Sequence, residues 1–302
     1  MFFLGVFGYV NIDYIISLPR FPEPNTSIKL TESKRYFGGT GANIARTASK
    51  LGVPVALSSF VGKNFPEEYY RLLKNDGVNV RDIVKVNDYL TPTCWIMSDQ
   101  KQNQIAIMDQ GPMEHMGEFS VRKYAASNSK ILHISTGNPD YYIKIIEHAT
   151  KLHKIIAFDP AQEIHYNYTS KKFKYILQKS KYFFANENEC KTALKYLGLK
   201  NAEDLLNFVD IFILTRGKNG SIIYTNKKEI NIPIIKPKKI IDSTGAGDAY
   251  RAGFYAGLFK GKKLKECGLI GACVSSFVLE SKGPQLNNIS WKKVIGRLGS
   301  NL

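Results

Sequence analysis

Short β-branched or aromatic runs alternate with longer amphipathic segments along most of the chain. The first apolar run, "FFLGVFGYV", is followed by the helical pattern "ANIARTASKLG", and the next run, "VALSSFVG", by "PEEYYRLLKNDG". Further along, "KILHIST" precedes "PDYYIKIIEHATKL", and the strand-like runs "KIIAFDP" and "KYFFANE" follow. This alternation is typical of βαβ units, so it predicts an α/β fold with a mostly parallel sheet and helices on both faces. Several runs are apolar throughout, as strands buried on both faces require.

Two stretches interrupt this rhythm. Residues 14–37 contain three prolines and alternating side chains, and residues 91–111 resemble two strands joined by a polar turn from Asp99 to Asn103. Both predict a small antiparallel sheet built from excursions out of one domain that spans residues 1–302. Long excursions of this kind often form lids over active sites, so we expect a lid here.

The formal net charge of +16 is high for a chain of 302 residues. The lysines are spread in short groups, and no basic arm, zinc-finger pattern or aromatic RNA-binding signature accompanies them. A solvated lysine-rich surface, or a field that gathers small anionic substrates, fits this distribution better than nucleic-acid recognition does. We therefore expect no nucleic-acid partner.

The apolar N-terminus, "MFFLGVFGYVNIDYIISLP", has no basic leading region. Asn11 and Asp13 interrupt it well short of the ~20 apolar residues that a membrane span needs, so it is predicted to form a buried strand and no membrane is expected. The four cysteines form no CxxC pair, and the five histidines form no zinc-spaced cluster. Free thiols in a reducing cytoplasm are the simplest interpretation.

The stretch "IIDSTGAGDAYRAGF", residues 240–254, predicts an extended segment, a tight loop and a helix. Gly245 and Gly247 permit unusual backbone angles and close approach by a ligand. A helix start presents unpaired N–H groups, which suit a phosphate. Asp248 would lie in the first turn, where helix-dipole effects alone favour a carboxylate. Beside an anion site, however, a carboxylate makes more sense as a base that takes a proton from an attacking hydroxyl.

Two better-known nucleotide motifs compete with this interpretation. The Gly-Lys pairs at Gly62, Gly217 and Gly261 are never followed by Ser or Thr, so a Walker A loop is absent. "GGTGANIA" at residues 38–45 superficially matches a dinucleotide fingerprint, but it follows the proline-rich stretch and not the first strand.

Several motifs, in order along the chain, resemble those of the ribokinase-like (PfkB) family of carbohydrate and nucleoside kinases. They are "VNID" near the start, "GGTGAN" at 38–43, "NENE" at 186–189, "TRGKNG" at 215–220, "DSTGAGD" at 242–248 and "GPQ" at 283–285. Ser243 departs from the threonine that many members carry, although Thr244 keeps a hydroxyl close by. The resemblance implies the three-layer ribokinase-like fold, with the two excursions forming its lid sheet.

The resemblance also implies roles for the glycine-rich stretch and for the acceptor side. Asp248 would be the catalytic base, and the amides from Gly245, Ala246, Gly247 and Asp248 would form the anion hole for the γ-phosphate. Asp13, Gly39 and Asn43 would hold the sugar of the acceptor. Vicinal hydroxyls suit a bidentate carboxylate, but an Asp in a solvated turn is the plain alternative for Asp13. Asp159, after another strand, is a weaker candidate on this side.

On the nucleotide side, the resemblance gives Asn186 and Glu189 a role in organising Mg²⁺ through bound water. The same spacing fits a helix capping box. Thr215, Gly217 and Gly220 match the family's nucleotide-binding turn, for which an ordinary hairpin is the alternative. Gly283 matches part of the loop against the adenine.

These features together predict a cytoplasmic, ATP- and Mg²⁺-dependent kinase. The resemblance is strongest to the family's archaeal nucleoside kinases, so we expect the acceptor to be the 5′-hydroxyl of a nucleoside. A free-sugar kinase of the ribokinase or fructokinase type is the alternative, and a nucleotide-binding regulator without turnover is a third. The sequence leaves open whether a monovalent cation takes part. The predicted lid strands have exposed edges, which a homodimer formed through the two lids would cover.

Overall fold

A computed structural model describes residues 1–101 and 103–299. Its strands are β1 (Phe2–Phe7), β2 (Asn11–Ser17), β3 (Glu32–Gly38), β4 (Val55–Gly62), β5 (Asn79–Val86), β6 (Thr93–Ser98), β7 (Gln104–Asp109), β8 (Ser129–Ile134), β9 (Ile155–Phe158), β10 (Tyr182–Asn186), β11 (Ile211–Thr215), β12 (Ser221–Thr225) and β13 (Lys228–Ile232). Its α-helices are α1 (Thr40–Lys50), α2 (Glu67–Asn75), α3 (Tyr124–Asn128), α4 (Pro139–Lys151), α5 (Ser170–Gln178), α6 (Glu187–Leu197), α7 (Ala246–Phe259), α8 (Leu264–Val278) and α9 (Trp291–Leu298).

Nine strands form the central sheet in the order β13-β12-β11-β10-β9-β8-β1-β4-β5. The pairs from β11 to β5 are parallel, and only β12 and β13 add antiparallel pairs at one edge. From β1 the chain builds outward through β4 and β5, then returns to β8 and builds in the other direction. The strand order therefore reverses between β1 and β8, the place where open parallel sheets bind ligands at their carboxyl ends.

Alternate side chains of each central strand enter two separate cores. In β10, for example, Tyr182 and Phe184 pack with α1, α2, α7, α8 and α9, whereas Phe183 and Ala185 pack with α3 to α6. Helices thus cover both faces of the sheet, which explains why its strands are apolar throughout.

A second sheet of four strands has the order β3-β2-β6-β7. It is built from the two stretches that interrupt the βα rhythm, and Asp99 N donates to Asn103 O, at 3.1 Å, in the turn between β6 and β7. β2 pairs antiparallel with β3, and β6 pairs antiparallel with β7. β2 and β6 run parallel, because the chain passes through the main sheet between them.

The predicted fold class is confirmed: a three-layer α/β fold with a mostly parallel sheet and a small sheet that contains antiparallel pairs. All four cysteines are buried and free. Among the helices of residues 1–101 and 103–299, none is long and apolar enough to cross a membrane.

Candidate active site

Asp13 lies in β2, just beyond the carboxyl end of β1, and is only 5% exposed. The alternative of a solvated turn residue is therefore wrong for this position. Asn11 Nδ2 donates to Asp13 Oδ1 at 2.5 Å. This contact fixes one carboxylate oxygen and leaves the carboxylate with further lone pairs for hydroxyl donors.

Where β3 passes into α1, Gly38 packs against this carboxylate and Gly39 packs against Tyr9 and Asn11. A Cβ atom on Gly38 would lie 2.0 Å from Asp13 Oδ2, and one on Gly39 would lie 2.4 Å from Tyr9 O. Gly39 also has a φ of 100°, which other residues rarely adopt. Because α1 follows the small sheet and not the first strand, the dinucleotide interpretation of "GGTGANIA" does not hold.

Asn43 links the acceptor side to the glycine-rich loop. It lies in the first turn of α1, 4% exposed, and its Nδ2 donates to Asp248 Oδ2 at 2.8 Å. Within the described part of the chain, Asn43 Oδ1 is buried without a hydrogen-bond partner. Such an orphaned acceptor is costly unless a ligand donates to it, so Asn43 Oδ1 is a candidate contact for a ligand.

Two buried carboxylates of the site, Asp13 and Asp248, have raised pKa values. Burial raises the pKa of Asp13 to about 7, with a further upward contribution from Asp248 and an opposing one from the Asn11 amide. Burial likewise raises the pKa of Asp248 to about 7, against the opposing effects of Asn43 and Arg251. A carboxylate with a pKa near neutrality is suited to accept a proton at physiological pH.

The glycine-rich loop is held in shape by Asp242. Its Oδ1 accepts from the backbone N and the Oγ1 of Thr244 at 2.9 and 2.8 Å, and its Oδ2 accepts from Gly283 N at 2.9 Å. Gly245 adopts a φ of 78°, and a Cβ atom there would lie 2.7 Å from Pro284 O. The loop before α7 and the loop around Gly283 therefore pack together as one unit.

The amides at the start of α7 differ in their partners. Ala246 N donates to Ser243 O at 3.2 Å within the turn. Over the residues that the structure describes, the backbone N–H groups of Gly245, Gly247 and Asp248 have no acceptor. Three of the four predicted anion-hole amides are thus free to bind an anion at the positive end of the helix.

Arg251 is a member of this site that the sequence analysis did not identify. Its Nε and Nη2 donate to Asp159 Oδ2 and Oδ1 at 2.6 and 3.2 Å, and both side chains are at least 95% buried. Asp159 therefore serves as the counter-ion of Arg251, which makes it unsuitable as the secondary acceptor-binding residue. The one sequence signal was a single arginine among the small and aromatic residues of "DAYRAGF".

Asn186 and Glu189 form the capping box that the sequence left as an alternative. Asn186 Oδ1 accepts from Glu189 N at 2.9 Å, and Glu189 Oε2 accepts from Asn186 N at 2.7 Å. Asn186 ends β10 at the same sheet edge as the rest of the site, and its side chain is exposed. Burial raises the pKa of Glu189, as does the nearby Asp159 carboxylate. Over residues 1–101 and 103–299, no three His, Cys, Asp or Glu side chains come together as metal ligands.

Thr215, Gly217 and Gly220 lie at the hairpin that joins β11 to the antiparallel β12. Thr215 ends β11 beside Asn186, its partner in the parallel ladder. Gly217 and Gly220 have φ values of 51° and 77°, and a Cβ atom on Gly220 would lie 2.2 Å from Ile232 O. Gly217 has open space around it, so this turn presents bare backbone at the carboxyl edge of the sheet.

Tyr69 connects the acceptor glycines to the loop around Gly283. It is fully buried in α2 and stacks on Phe37 with ring centroids 4.3 Å apart. Its hydroxyl donates to Gly38 O at 2.7 Å and accepts from Gln285 Nε2 at 2.7 Å. Gln285 Oε1 in turn accepts from Arg46 Nη1 at 2.5 Å. These bonds fix the distance between the two loops that flank the site.

We expect Tyr69→Phe to lower the free energy of unfolding by about 1–3 kcal/mol, because it leaves the Gly38 carbonyl and the Gln285 amide without a buried partner. Urea denaturation measures this change. Tyr70→Phe is the matched control, since the Tyr70 hydroxyl has no hydrogen-bond partner among the described residues, and it should stay within about 0.5 kcal/mol of wild type. Equal losses in the two variants would show that the Tyr69 hydroxyl does not stabilise these loops.

A family model for pfkB family carbohydrate kinases matches residues 1–291 of the chain. A nucleoside kinase of Methanocaldococcus jannaschii is 40% identical over 292 residues, which cover 96% of this chain and 95% of that protein. A nucleoside kinase of Methanothermobacter thermautotrophicus is 35% identical over 286 residues, covering 93% and 90% of the two chains.

Solved structures give the same picture of the fold. The crystal structure of the M. jannaschii nucleoside kinase, described as an archaeal member of the ribokinase family, superposes with a TM-score of 0.91 at 39% identity over 99% of both chains. A Burkholderia thailandensis nucleoside kinase in complex with inosine superposes with a TM-score of 0.88 at 22% identity, a likeness of fold alone.

Proposed function

The chain belongs to the pfkB family of carbohydrate kinases, and on this basis we propose that it transfers the γ-phosphate of ATP to the 5′-hydroxyl of a nucleoside. It is a phosphotransferase with a hydroxyl acceptor, of the nucleoside or sugar kinase type. The observation that carries the finer proposal is the 2.8 Å hydrogen bond between Asn43 and Asp248. It brings the Asn43 amide of the acceptor side to the Asp248 carboxylate, which lies beside the unpartnered amides of the glycine-rich loop.

In the proposed reaction, Asp13 accepts hydrogen bonds from two hydroxyls of the ribose, and Asn43 Oδ1 accepts a third. This arrangement presents the 5′-hydroxyl to Asp248, which takes its proton as the new O–P bond forms. The free amides of Gly245, Gly247 and Asp248 stabilise the charge on the transferring phosphoryl group. Phosphoryl transfer needs little covalent chemistry from the protein, so positioning and fixed dipoles are sufficient.

The nucleotide is proposed to lie along the same sheet edge. Thr215, Gly217 and Gly220 belong to the hairpin at that edge, and Gly283 lies on the loop that Asp242 holds. Mg²⁺ would accompany the nucleotide and would supply positive charge against the negative charge of the phosphate groups. Asn186, with its exposed side chain, and Glu189 would hold this ion through water.

The nucleoside is favoured over a free sugar because the archaeal relatives at 35–40% identity are named nucleoside kinases. A polar side chain at the end of the small sheet supports this choice. Gln110, at the end of the small sheet, has its Nε2 held by the buried Glu163 at 2.9 Å. The side-chain carbonyl oxygen of Gln110 makes no hydrogen bond within the described part of the chain, and we propose that it contacts the base of the nucleoside. A free sugar would leave that contact unused.

The experiment that tests this proposal is ADP release with ATP and Mg²⁺ across a panel of nucleosides, ribose and fructose. We expect at least one nucleoside to give the highest kcat/KM and EDTA to abolish turnover. If free sugars alone respond, the nucleoside assignment is wrong while the kinase assignment stands. If every acceptor stays at the rate without acceptor, the kinase proposal itself is wrong.

We further propose that two copies pair through the four-stranded sheet. Its edge strand β7 carries Ile105 and Ile107, which are 47% and 54% exposed. Exposed apolar side chains on an unpaired edge favour association with another strand or sheet.

Sedimentation equilibrium of the wild type should therefore give twice the chain mass of 34.0 kDa. Ile107→Lys should shift the equilibrium toward the single chain, because a dimer would have to desolvate the new charge. A single-chain mass for the wild type at micromolar concentration would contradict the pairing.

A further inference from the structure

The guanidinium group of Arg251 lies beside the glycine-rich loop with one nitrogen free. Two of its nitrogens, Nε and Nη2, are occupied by the carboxylate of Asp159. Across the residues that the structure describes, Nη1 has no hydrogen-bond partner. Arg251 is only 5% exposed, so this free nitrogen belongs to a cation that is otherwise enclosed by protein.

Nη1 is directed at the first turn of α7. Side chains of a helix lean toward its N-terminus, so Arg251 reaches back one turn to Gly247. A Cβ atom on Gly247 would lie 2.9 Å from Nη1, and Gly247 itself is exposed. Nη1 therefore borders the same exposed surface as the free amides of Gly245, Gly247 and Asp248. Because Gly247 has no side chain, the Arg251 guanidinium stays accessible on this side.

The position of the guanidinium is fixed from several sides. The guanidinium donates two hydrogen bonds to the Asp159 carboxylate. Its Cζ atom lies 5.6 Å from the centre of the Phe184 ring. A donor held in this way needs little reorganisation when charge develops in front of it. Arg251 is also close enough to Asp248 and Glu189 for its charge to lower the pKa of both carboxylates. It is thus a preorganised cation at the centre of the site.

We propose that Nη1 of Arg251 donates a hydrogen bond to the phosphoryl group as it is transferred, which makes Arg251 a catalytic residue. This inference rests on the proposed kinase function. In the step, the acceptor oxygen forms a bond to the γ-phosphorus and its proton passes to Asp248. The bond from the γ-phosphorus to the bridging oxygen breaks, and its electron pair stays on ADP. Arg251 keeps its protons throughout and acts by charge-assisted hydrogen bonding.

The experiment must distinguish the proposed catalytic role of Arg251 from a purely structural role as counter-ion of the buried Asp159. Arg251→Lys keeps a positive charge beside Asp159 but has no second nitrogen to reach Gly247. We expect it to lower kcat by about 10²- to 10³-fold, the loss typical of one removed donor. The KM for the nucleoside should be unchanged, because the contact forms only during transfer. Binding of ADP with aluminium fluoride and nucleoside should weaken, whereas binding of ADP with Mg²⁺ alone should not.

Arg297→Lys provides the matched control. Arg297 also pairs with a carboxylate, Glu280, at 2.9 Å, and lies 3.4 Å above the centre of the Phe277 ring. It should lose stability to a similar degree with kcat unchanged. A kcat for Arg251→Lys within a few fold of wild type overturns the proposal, as does an equal loss of kcat in both variants.

If Arg251→Lys does not fold, Gly247→Ala tests the same contact without removing either partner of the Arg251–Asp159 pair. The added methyl group would lie 2.9 Å from Nη1, so the guanidinium must move away from the loop, while alanine suits a helix better than glycine. We expect a stable variant with a strongly reduced kcat, and normal kcat contradicts the proposal. If Asp248→Asn loses phosphoryl transfer while Arg251→Lys and Gly247→Ala keep it, the proposed role of Arg251 is wrong and the proposed kinase function stands. If the wild type transfers no phosphoryl group, the proposed kinase function itself is wrong.

Discussion

Asp248→Asn is expected to lower kcat by about 10²- to 10⁴-fold, the range that a general base supplies. The substitution keeps the size of the side chain and its contact with Asn43 Nδ2, which donates to Asp248 Oδ2 at 2.8 Å in the wild type. It removes only the ability to take a proton from the acceptor hydroxyl. The KM for the nucleoside should change little, and the thermal midpoint should be preserved or raised, because burial disfavours the charged carboxylate.

The pH profile of the wild type gives the same residue a second test. Because burial raises the pKa of Asp248 to about 7, the carboxylate is protonated and inactive as a base below that pH. The value of kcat/KM should therefore fall as the pH drops below about 7 and level off above it. Burial raises the pKa of Asp13 to a similar value. The fall of kcat/KM at low pH therefore reports the protonation of both carboxylates. Asp248→Asn should remove the Asp248 contribution from the profile of kcat.

Asp140→Asn is the control that separates catalysis from helix stabilisation. Asp140 also lies in the first turn of a helix, α4, and is half exposed beside Lys172 at 2.8 Å. If the carboxylate at position 248 served only the helix dipole, the two variants would lose similar, small amounts of stability and neither would lose turnover. Near-normal kcat in Asp248→Asn would exclude it as the base.

Asp13→Asn is expected to lower kcat/KM by about 10²-fold or more, since hydrogen bonds to a charged group contribute about 1.5–3 kcal/mol each. An amide cannot accept from two vicinal hydroxyls as a carboxylate does, and its NH₂ group would face the Asn11 amide that donates to Asp13 in the wild type. The loss should appear mainly as a higher KM for the nucleoside.

Asp82→Asn controls for the burial of a carboxylate as such. Asp82 is 2% exposed in β5 and accepts from Ala125 N at 2.8 Å, away from the site. Its substitution should lower stability and leave the KM for the nucleoside unchanged. A KM in Asp13→Asn that equals the wild-type value would contradict the proposed ribose contact.

The elements and the glycine positions of this protein could be predicted from the sequence because their causes are local. Apolar runs such as β10 need cover on both faces wherever they lie, and a φ of 78° at Gly245 needs glycine. The parallel pairing of β2 with β6 could not be predicted in this way. This pairing depends on the path of the chain through the main sheet between the two strands. The residue pattern within β2 and β6 does not indicate that path.

The residues of the candidate site could be predicted from the sequence only where a motif marked them. Arg251 and Asp159 are 92 positions apart, and neither their pairing nor the free Nη1 has a sequence signal beyond one arginine in an apolar helix. Asp242 similarly fixes the glycine-rich loop through Gly283 N, 41 positions away. The Asn186–Glu189 spacing was ambiguous for a physical reason: one carboxylate can cap a helix and still face a hydrated ion.

The central claim is that phosphate moves from ATP to the 5′-oxygen of a nucleoside, and ³¹P NMR of the reaction mixture tests it most directly. With wild-type protein, ATP, Mg²⁺ and the best nucleoside of the panel, we expect nucleoside 5′-monophosphate and ADP to accumulate in equal amounts. The matching 5′-deoxynucleoside should give neither product. ADP and inorganic phosphate without a phosphorylated nucleoside, or a phosphate on another oxygen, would contradict the claim.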